Sequence, residues 1–210
     1  MQVLLHPGYF LNIANFAALV QNDICWEVND NYQKQTYRNR CYIATDIGKH
    51  MLTIPIKHVG NNRNKQRYSE VAIDNTYFWQ RQHWRTLQTA YRTSPFFEFY
   101  EDDIAPLYND TFDSLMEFNL KSIATICDCL QIPMPTDKTS SYQAAATDMT
   151  DARHFINSKT EIPFQQAPYV QVFNDRNPFI PNLSILDLLF NEGTNTLPYL
   201  KSLKLNLPHA

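Results

Sequence analysis

The stretch VLLHPGYFLNIANFAALVQNDICWEV, residues 3–28, decides how the rest of the chain is read. Val3, Leu4 and Leu5 form a short apolar run with the composition of a buried strand, stopped by His6 and Pro7 and turned at Gly8. Ile13, Phe16, Ala17 and Val20 then recur at helical spacing. After Asp23, the residues Ile24, Cys25, Trp26 and Val28 return to strand composition. A strand, a helix and a strand within roughly 30 residues predict a βαβ unit with parallel strands.

Outward from that unit, the polar residues 29–40 lead into two apolar runs, 41–45 and 51–56, which predict a hairpin turned at 46–49 around Gly48. Residues 61–67 are polar and basic and predict a surface loop, with a short strand expected at 71–73. Tyr77, Trp84, Leu87 and Tyr91 predict one face of a helix that ends before Pro95, followed by an aromatic cluster of Phe96, Phe97, Phe99 and Tyr100. The strongest helical periodicity is Met116, Leu120, Ile123, Cys127 and Leu130, with Asp110 or Thr111 as the expected N-cap. Residues 131–150 hold prolines and a Thr/Ser-rich patch without periodicity and predict a long surface loop. Beyond Pro168 a strand is expected at 169–173. A final helix is expected with Ser184 as its cap, Ile185, Leu188 and Leu189 on its apolar side, and Gly193 as its C-terminal stop. The fold expected is α/β, one domain over residues 1–210, with a small, partly parallel central sheet and several packed helices.

Bulk properties narrow the function. With 210 residues, 44% of them hydrophobic and 13% aromatic, the chain carries enough apolar mass for one core. A formal charge of −3 and a pI near 6.0 provide no field for nucleic acid, so any anion site must be local. The longest apolar stretches, such as 185–190 with its internal Asp187, fall short of the roughly 20 residues a transmembrane helix needs. The N-terminus lacks the basic lead and cleavage site of a signal peptide, so a cytoplasmic protein is expected. Cys25, Cys41, Cys127 and Cys129 sit in apolar contexts that favour buried free thiols over disulfides. Four isolated glycines leave no phosphate-cradling loop, and neither H-E-x-x-H, paired C-x-x-C nor G-x-S-x-G occurs. Neither metal nor cofactor is expected.

Three segments carry candidate chemistry. His6-Pro7-Gly8-Tyr9 lies where a strand gives way to a helix, a position at which open α/β sheets bind ligands; His6 and Tyr9 are candidate proton-handling groups there. A strand-capping turn is the plainer alternative. Tyr32, Lys34, Arg38, Asn39 and Arg40 follow the second strand, and three cations among them suit a carboxylate or phosphate. A solvated basic loop would look the same. Asn182, Ser184, Asp187 and Asn191 are polar positions along an otherwise apolar helix segment, where buried polar groups must be paired, with caps and a solvent face as the alternative.

Together these segments resemble the WbqC-like family. The resemblance rests on His6-Pro7-Gly8-Tyr9, Tyr32-Gln33-Lys34, Arg38-Asn39-Arg40, Leu52-Thr53-Ile54-Pro55-Ile56, Ile73-Asp74-Asn75 through Trp79, and Pro181 to Gly193. His6 replaces a usual Gln, and Leu11, Asn12, Ala14 and Asn15 depart from a Pro-Trp-x-Gly-Tyr pattern. The resemblance implies a transferase of O-antigen-like surface polysaccharide assembly, moving an amino acid such as glycine, or a small acyl group, to a sugar. In that scheme Tyr32, Lys34, Arg38, Asn39 and Arg40 hold an anionic donor, such as a nucleotide sugar or an activated acyl group. Asn182, Ser184 and Asn191 would help bind substrate, and His6, Tyr9 and Asp187 are the catalytic candidates. The alternative is a non-catalytic anion-binding accessory protein of a glycan gene cluster. The strand, turn and helix at the N-terminus are also similar to those of nucleotidylyltransferase-like folds, without their histidine pair.

Overall fold

The computed structural model describes residues 2–57, 66–146, 148–160 and 162–207. The N-terminal unit forms as expected. Strand β1 (Gln2–Leu5), helix α1 (Ile13–Gln21) and strand β2 (Asp23–Trp26) follow one another, and the two strands pair in parallel from Gln2 opposite Asp23 to Leu5 opposite Trp26. Asn12, not a charged residue, caps α1 by accepting from the Asn15 N–H. On the other side of β1 lies the two-residue strand β5 (Thr150–Asp151), also parallel, so the sheet order is β2-β1-β5 with β1 central. The carboxyl ends of all three strands therefore open onto the same edge, where His6, Glu27 and Arg153 begin the following segments.

Strands β3 (Arg40–Thr45) and β4 (Gly48–Thr53) form a separate antiparallel hairpin. Its second strand starts earlier than 51 because the loop is only Asp46 and Ile47, with Gly48 at φ 103° supplying the left-handed turn. Pro55 lacks an N–H for a ladder, and the pairing ends before it. At 71–73 there is no strand. Ile73 bridges Ile56 and Ala72 bridges Ser114 singly, since Ile73 N–H instead reaches Asp113 O. Of the loop expected at 61–67, residues 61–65 lie outside the described residues.

Helix α2 (Trp79–Tyr91) buries Trp79, His83, Leu87, Ala90 and Tyr91. Tyr77 is not on that face: it precedes the helix, beyond the turn that Asp74 makes with Thr76, and is 63% exposed. Helices α3 (Phe97–Ile104) and α4 (Pro106–Asn109) follow, and the expected aromatic cluster divides by helical phase, with Phe97 and Tyr100 in the core and Phe99 outside. Helix α5 (Leu115–Cys129) is capped by Ser114, not by Asp110 or Thr111, because α4 and the turn after it occupy those positions. Its buried face is wider than the apolar stripe and includes Asn119 and Ser122, each hydrogen-bonded. Residues 131–146 contain no helix or strand, although Lys138 bridges Trp26.

After the short β6 (Phe164–Gln165), the segment 169–173 is irregular, not a strand. Its polar side chains bend inward: Gln171 Nε2 donates to Ile180 O and its Oε1 accepts from Ile180 N, closing the segment on itself. Helix α6 (Ile185–Glu192) begins at the Ser184 cap and stops at Gly193, φ 54°, as its sequence predicts. Helix α7 (Thr196–Ser202) and strand β7 (Lys204–Leu205), antiparallel to β6, complete the described chain. One core joins α1, α2, α5 and α6 through Phe16, Tyr91, Phe118 and Phe190. The four cysteines are free, and three of them are buried. Among the described residues no helix is long and apolar enough to cross a membrane.

The turn after β1 is packed to its limit. Tyr9 N–H donates to Tyr37 O at 2.8 Å, and a Cβ at Gly8 would lie 2.8 Å from that carbonyl and 2.5 Å from Leu11 Cδ2. Gly8→Ala is therefore expected to cost about 1–3 kcal/mol through forced displacement. Thermal melts should show a Tm lower by several degrees, and an unchanged Tm would mean the turn yields freely.

Candidate functional site

Residues 29–39 lead from β2 to β3 without a helix or strand, and several of their polar side chains are held by named partners. Arg38 has no exposed surface. Its Nη2 donates to Asp30 Oδ2 at 3.0 Å and lies 3.0 Å from His6 Nε2, while its guanidinium carbon sits 5.2 Å from the centre of the Tyr68 ring. His6 Nδ1 is 3.2 Å from the Glu27 carbonyl and Nε2 lies 3.0 Å from Arg38 Nη2 and 3.3 Å from Asp30 Oδ2, so Nδ1 donates to Glu27 while Nε2 accepts from Arg38 in the neutral ring and donates to Asp30 in the protonated one. Burial, with the Arg38 charge, holds His6 below its ordinary pKa despite the neighbouring carboxylate. For Asp30, burial pushes upward but the hydrogen bond to His6 and the charges of His6 and Arg38 outweigh it, leaving its carboxyl below the usual value. Tyr68 O–H donates to Pro7 O, and Asn119 Nδ2 donates to both Arg38 O and the Tyr68 hydroxyl. The cluster thus ties the β1 turn, the 29–40 segment and α5 together.

With Arg38 turned inward, Asn39 and Arg40 face a cleft of about 520 Å³, lined also by Tyr32, Lys34, Thr53, Asp74 and Tyr77. Asn39 is 6% exposed, its Nδ2 donates to Ile54 O, and its Oδ1 has no partner. Arg40 Nε and Thr53 Oγ1, in the same wall, are buried and unpaired as well. A buried polar atom left without a partner costs about 1–3 kcal/mol, and this wall holds three of them behind its surface. Asp74 Oδ1 accepts from the Thr76 hydroxyl and N–H, and those bonds hold the carboxyl below its usual pKa. Two other clefts each contain more than one Lys or Arg. One, of about 540 Å³, includes His50, Arg85 and Arg176; another, of about 790 Å³, includes Lys49 and Lys159. The second adds one unpaired atom, Gln166 Nε2.

The other candidate residues do not line the 520 Å³ cleft. Tyr9 is fully buried, its hydroxyl 2.8 Å from His83 Nδ1 and 2.9 Å from the Tyr108 hydroxyl. Asp187 is enclosed in α6, where Tyr91 O–H donates to Oδ1 at 2.7 Å and Tyr169 O–H and Gln171 Nε2 donate to Oδ2. Burial raises its pKa, and those three bonds offset only part of the rise. Asn191 Nδ2 donates to Asp187 O, and Ser184 Oγ donates to Phe10 O while capping α6. Asn182, at φ 54°, accepts from Ala14 N–H and lines the 790 Å³ cleft. The three sequence segments therefore meet through backbone and core contacts, with Tyr32, Lys34, Asn39 and Arg40 gathered at one cleft and Arg38 and His6 behind it. Asp30, Thr53, Tyr68, Asp74, Tyr77 and Asn119 complete these sites, although the sequence singled out none of them as a site residue. Among the described residues, no group of three or more His, Cys, Asp or Glu is placed to hold a metal ion.

Against known proteins, a family model described as "WbqC-like protein family" matches residues 5–149 and 142–199. The chain is similar to "Uncharacterized protein Rv1507c" of Mycobacterium tuberculosis, 29% identical over an alignment of 223 positions that covers 92% of each chain. No solved structure matches, and the expected likeness to nucleotidylyltransferase-like folds is not confirmed.

Burial lowers the His83 pKa to about 4, so the imidazole is neutral in the folded protein at neutral pH. As pH falls below 6.5 the unfolded chain takes up that proton first, and stability drains away until the folded pKa is reached, on the order of 3 kcal/mol in all. Asp30 and His6, whose folded pKa values are also lowered, lose stability in the same direction. Urea melts between pH 7.5 and 4 should show this loss, and His83→Gln should reduce it. An equal slope in the variant would contradict the assignment.

Proposed function

Because the chain belongs to the WbqC-like protein family, we propose that it binds an anionic small molecule of surface-polysaccharide assembly in the cleft of Tyr32, Lys34, Asn39 and Arg40. What carries this reading is the pair of cations, the Lys34 ammonium and the Arg40 guanidinium, lining one cleft beside the polar side chains of Tyr32, Asn39 and Thr53. A guanidinium N–H and an ammonium match a phosphate or carboxylate. The cleft size is that of a small-molecule site. Lys34 and Arg40 are the anion contacts, and Arg38 acts from behind, holding the strand from which Asn39 and Arg40 project. The natural ligand in this scheme is an activated donor in the cytoplasm, a nucleotide sugar or an activated amino-acid or acyl group.

Transfer of that group to a sugar is the reaction the family setting suggests. Binding without turnover, as an accessory protein, is the second reading. It is favoured by the enclosure of His6, Tyr9 and Asp187 in hydrogen-bonded clusters that do not line the cleft.

Thermal-shift and calorimetric titrations with phosphate, pyrophosphate and acetate test the anion site directly. A ligand at 100 times its Kd should stabilise the protein by about 2.7 kcal/mol. Lys34→Ala and Arg40→Ala should each weaken binding at least tenfold, and added salt should weaken the wild type as well. Unchanged binding in both variants would remove the basis of the proposal.

A further inference from the structure

We infer that the anion bound in this cleft is a phosphorylated sugar, with the phosphate on Lys34 and Arg40, sugar hydroxyls on Asp74, and the sugar face on the Tyr77 ring. The inference rests on the anion-site reading and deepens it. A site built for a bare anion would present donors alone. One member of the lining here is the opposite: Asp74 is a carboxylate that would repel an anion placed beside it. Asp74 is fixed in place, since Oδ1 takes two hydrogen bonds from Thr76, at 2.6 and 3.1 Å. Oδ2 has no protein hydrogen bond among the described residues. An ionised acceptor held rigid in a cation-lined cleft calls for O–H donors on the same ligand that carries the anion.

The aromatic residues agree with this division of labour. Tyr77 leaves most of its ring in solvent at the cleft, and Tyr32, packed 6.4 Å from Tyr68, lines the same space. Such rings offer an apolar face to the C–H surface of a pyranose while their hydroxyls stay wet. A bare phosphate has no use for them. A sugar phosphate satisfies every group: donors meet phosphate oxygens, acceptors meet hydroxyls, and rings meet the carbon face.

Calorimetric titration of the full chain with glucose 1-phosphate, N-acetylglucosamine 1-phosphate, inorganic phosphate, glucose and glycine decides the matter. At least one sugar phosphate should bind ten or more times tighter than inorganic phosphate. Asp74→Asn turns the free acceptor into a donor while keeping its shape, and should erase most of that advantage while leaving phosphate binding equal or improved. Tyr77→Ala, at an exposed position, should lower sugar phosphate affinity severalfold and leave phosphate unchanged. Phosphate and sugar phosphates binding equally would overturn the sugar assignment and leave the anion site standing. So would glycine binding in their place. No binding of phosphate or any sugar phosphate would overturn both.

Discussion

A guanidinium without exposed surface, that of Arg38, is the constraint around which the ligand edge of this protein is arranged. Removing such a charge from water costs several kcal/mol unless partners are supplied, and here they come from three parts of the chain. Asp30 contributes the counter-charge, His6 an acceptor at the end of the central strand and Tyr68 a ring face, while Asn119 of α5 holds the Arg38 backbone by donating to its carbonyl. The carboxyl end of β1, the segment after β2 and helix α5 are thereby locked to one another. Breaking a pair of this kind strands a buried charge, which typically costs 3–5 kcal/mol. The compensation is incomplete, since Arg38 Nε and Nη1 have no partner, so the surrounding frame must be held by other forces. The apolar core beneath α1, α5 and α6 provides them.

Fixing Arg38 inward also fixes what its neighbours do. Asn39 and Arg40 are carried into the wall of the 520 Å³ cleft by a backbone that β3 and the Asn119 hydrogen bond hold still. A site on such a backbone is ordered before its ligand arrives, which lowers the entropic cost of binding. The other buried polar clusters do related structural work. Asp187 joins Tyr91 of α2, Tyr169 and Gln171 to α6, and through Tyr91 reaches the Ala44 N–H of the hairpin. The Tyr9 hydroxyl joins the β1 turn to His83 of α2 and to Tyr108.

The parts of this architecture that are legible in the sequence are those encoded locally. The βαβ start and α6 with its Ser184 cap and Gly193 stop follow from neighbours within one or two turns of each residue. The segment 169–173 was not legible as an irregular strap, because its β-like composition serves inward hydrogen bonds to Asp187 and Ile180 that depend on distant chain. The same holds for the site. Tyr32, Lys34, Asn39 and Arg40 stand out by charge and spacing, but Asp74 and Tyr77 join them only because the chain after the hairpin folds back beside Thr53. Asp30 lies a few residues from Arg38, yet nothing local distinguishes a buried counter-ion from a loop aspartate. His6 and Tyr9, close in sequence, point into different clusters, since the sharp Pro7-Gly8 turn separates their side chains.

The central proposal is that an anion binds at Lys34 and Arg40 and not elsewhere on the surface. Titration of isotope-labelled protein with inorganic phosphate, followed in 1H–15N spectra, tests it most directly. The prediction is a saturable shift of the Arg40 Nε–H and of the Asn39 backbone and side-chain amides, with Arg85 and Arg176 in the 540 Å³ cleft unmoved. Shifts confined to Arg85 and Arg176, or to the backbone amides of Lys49 and Lys159, would contradict it.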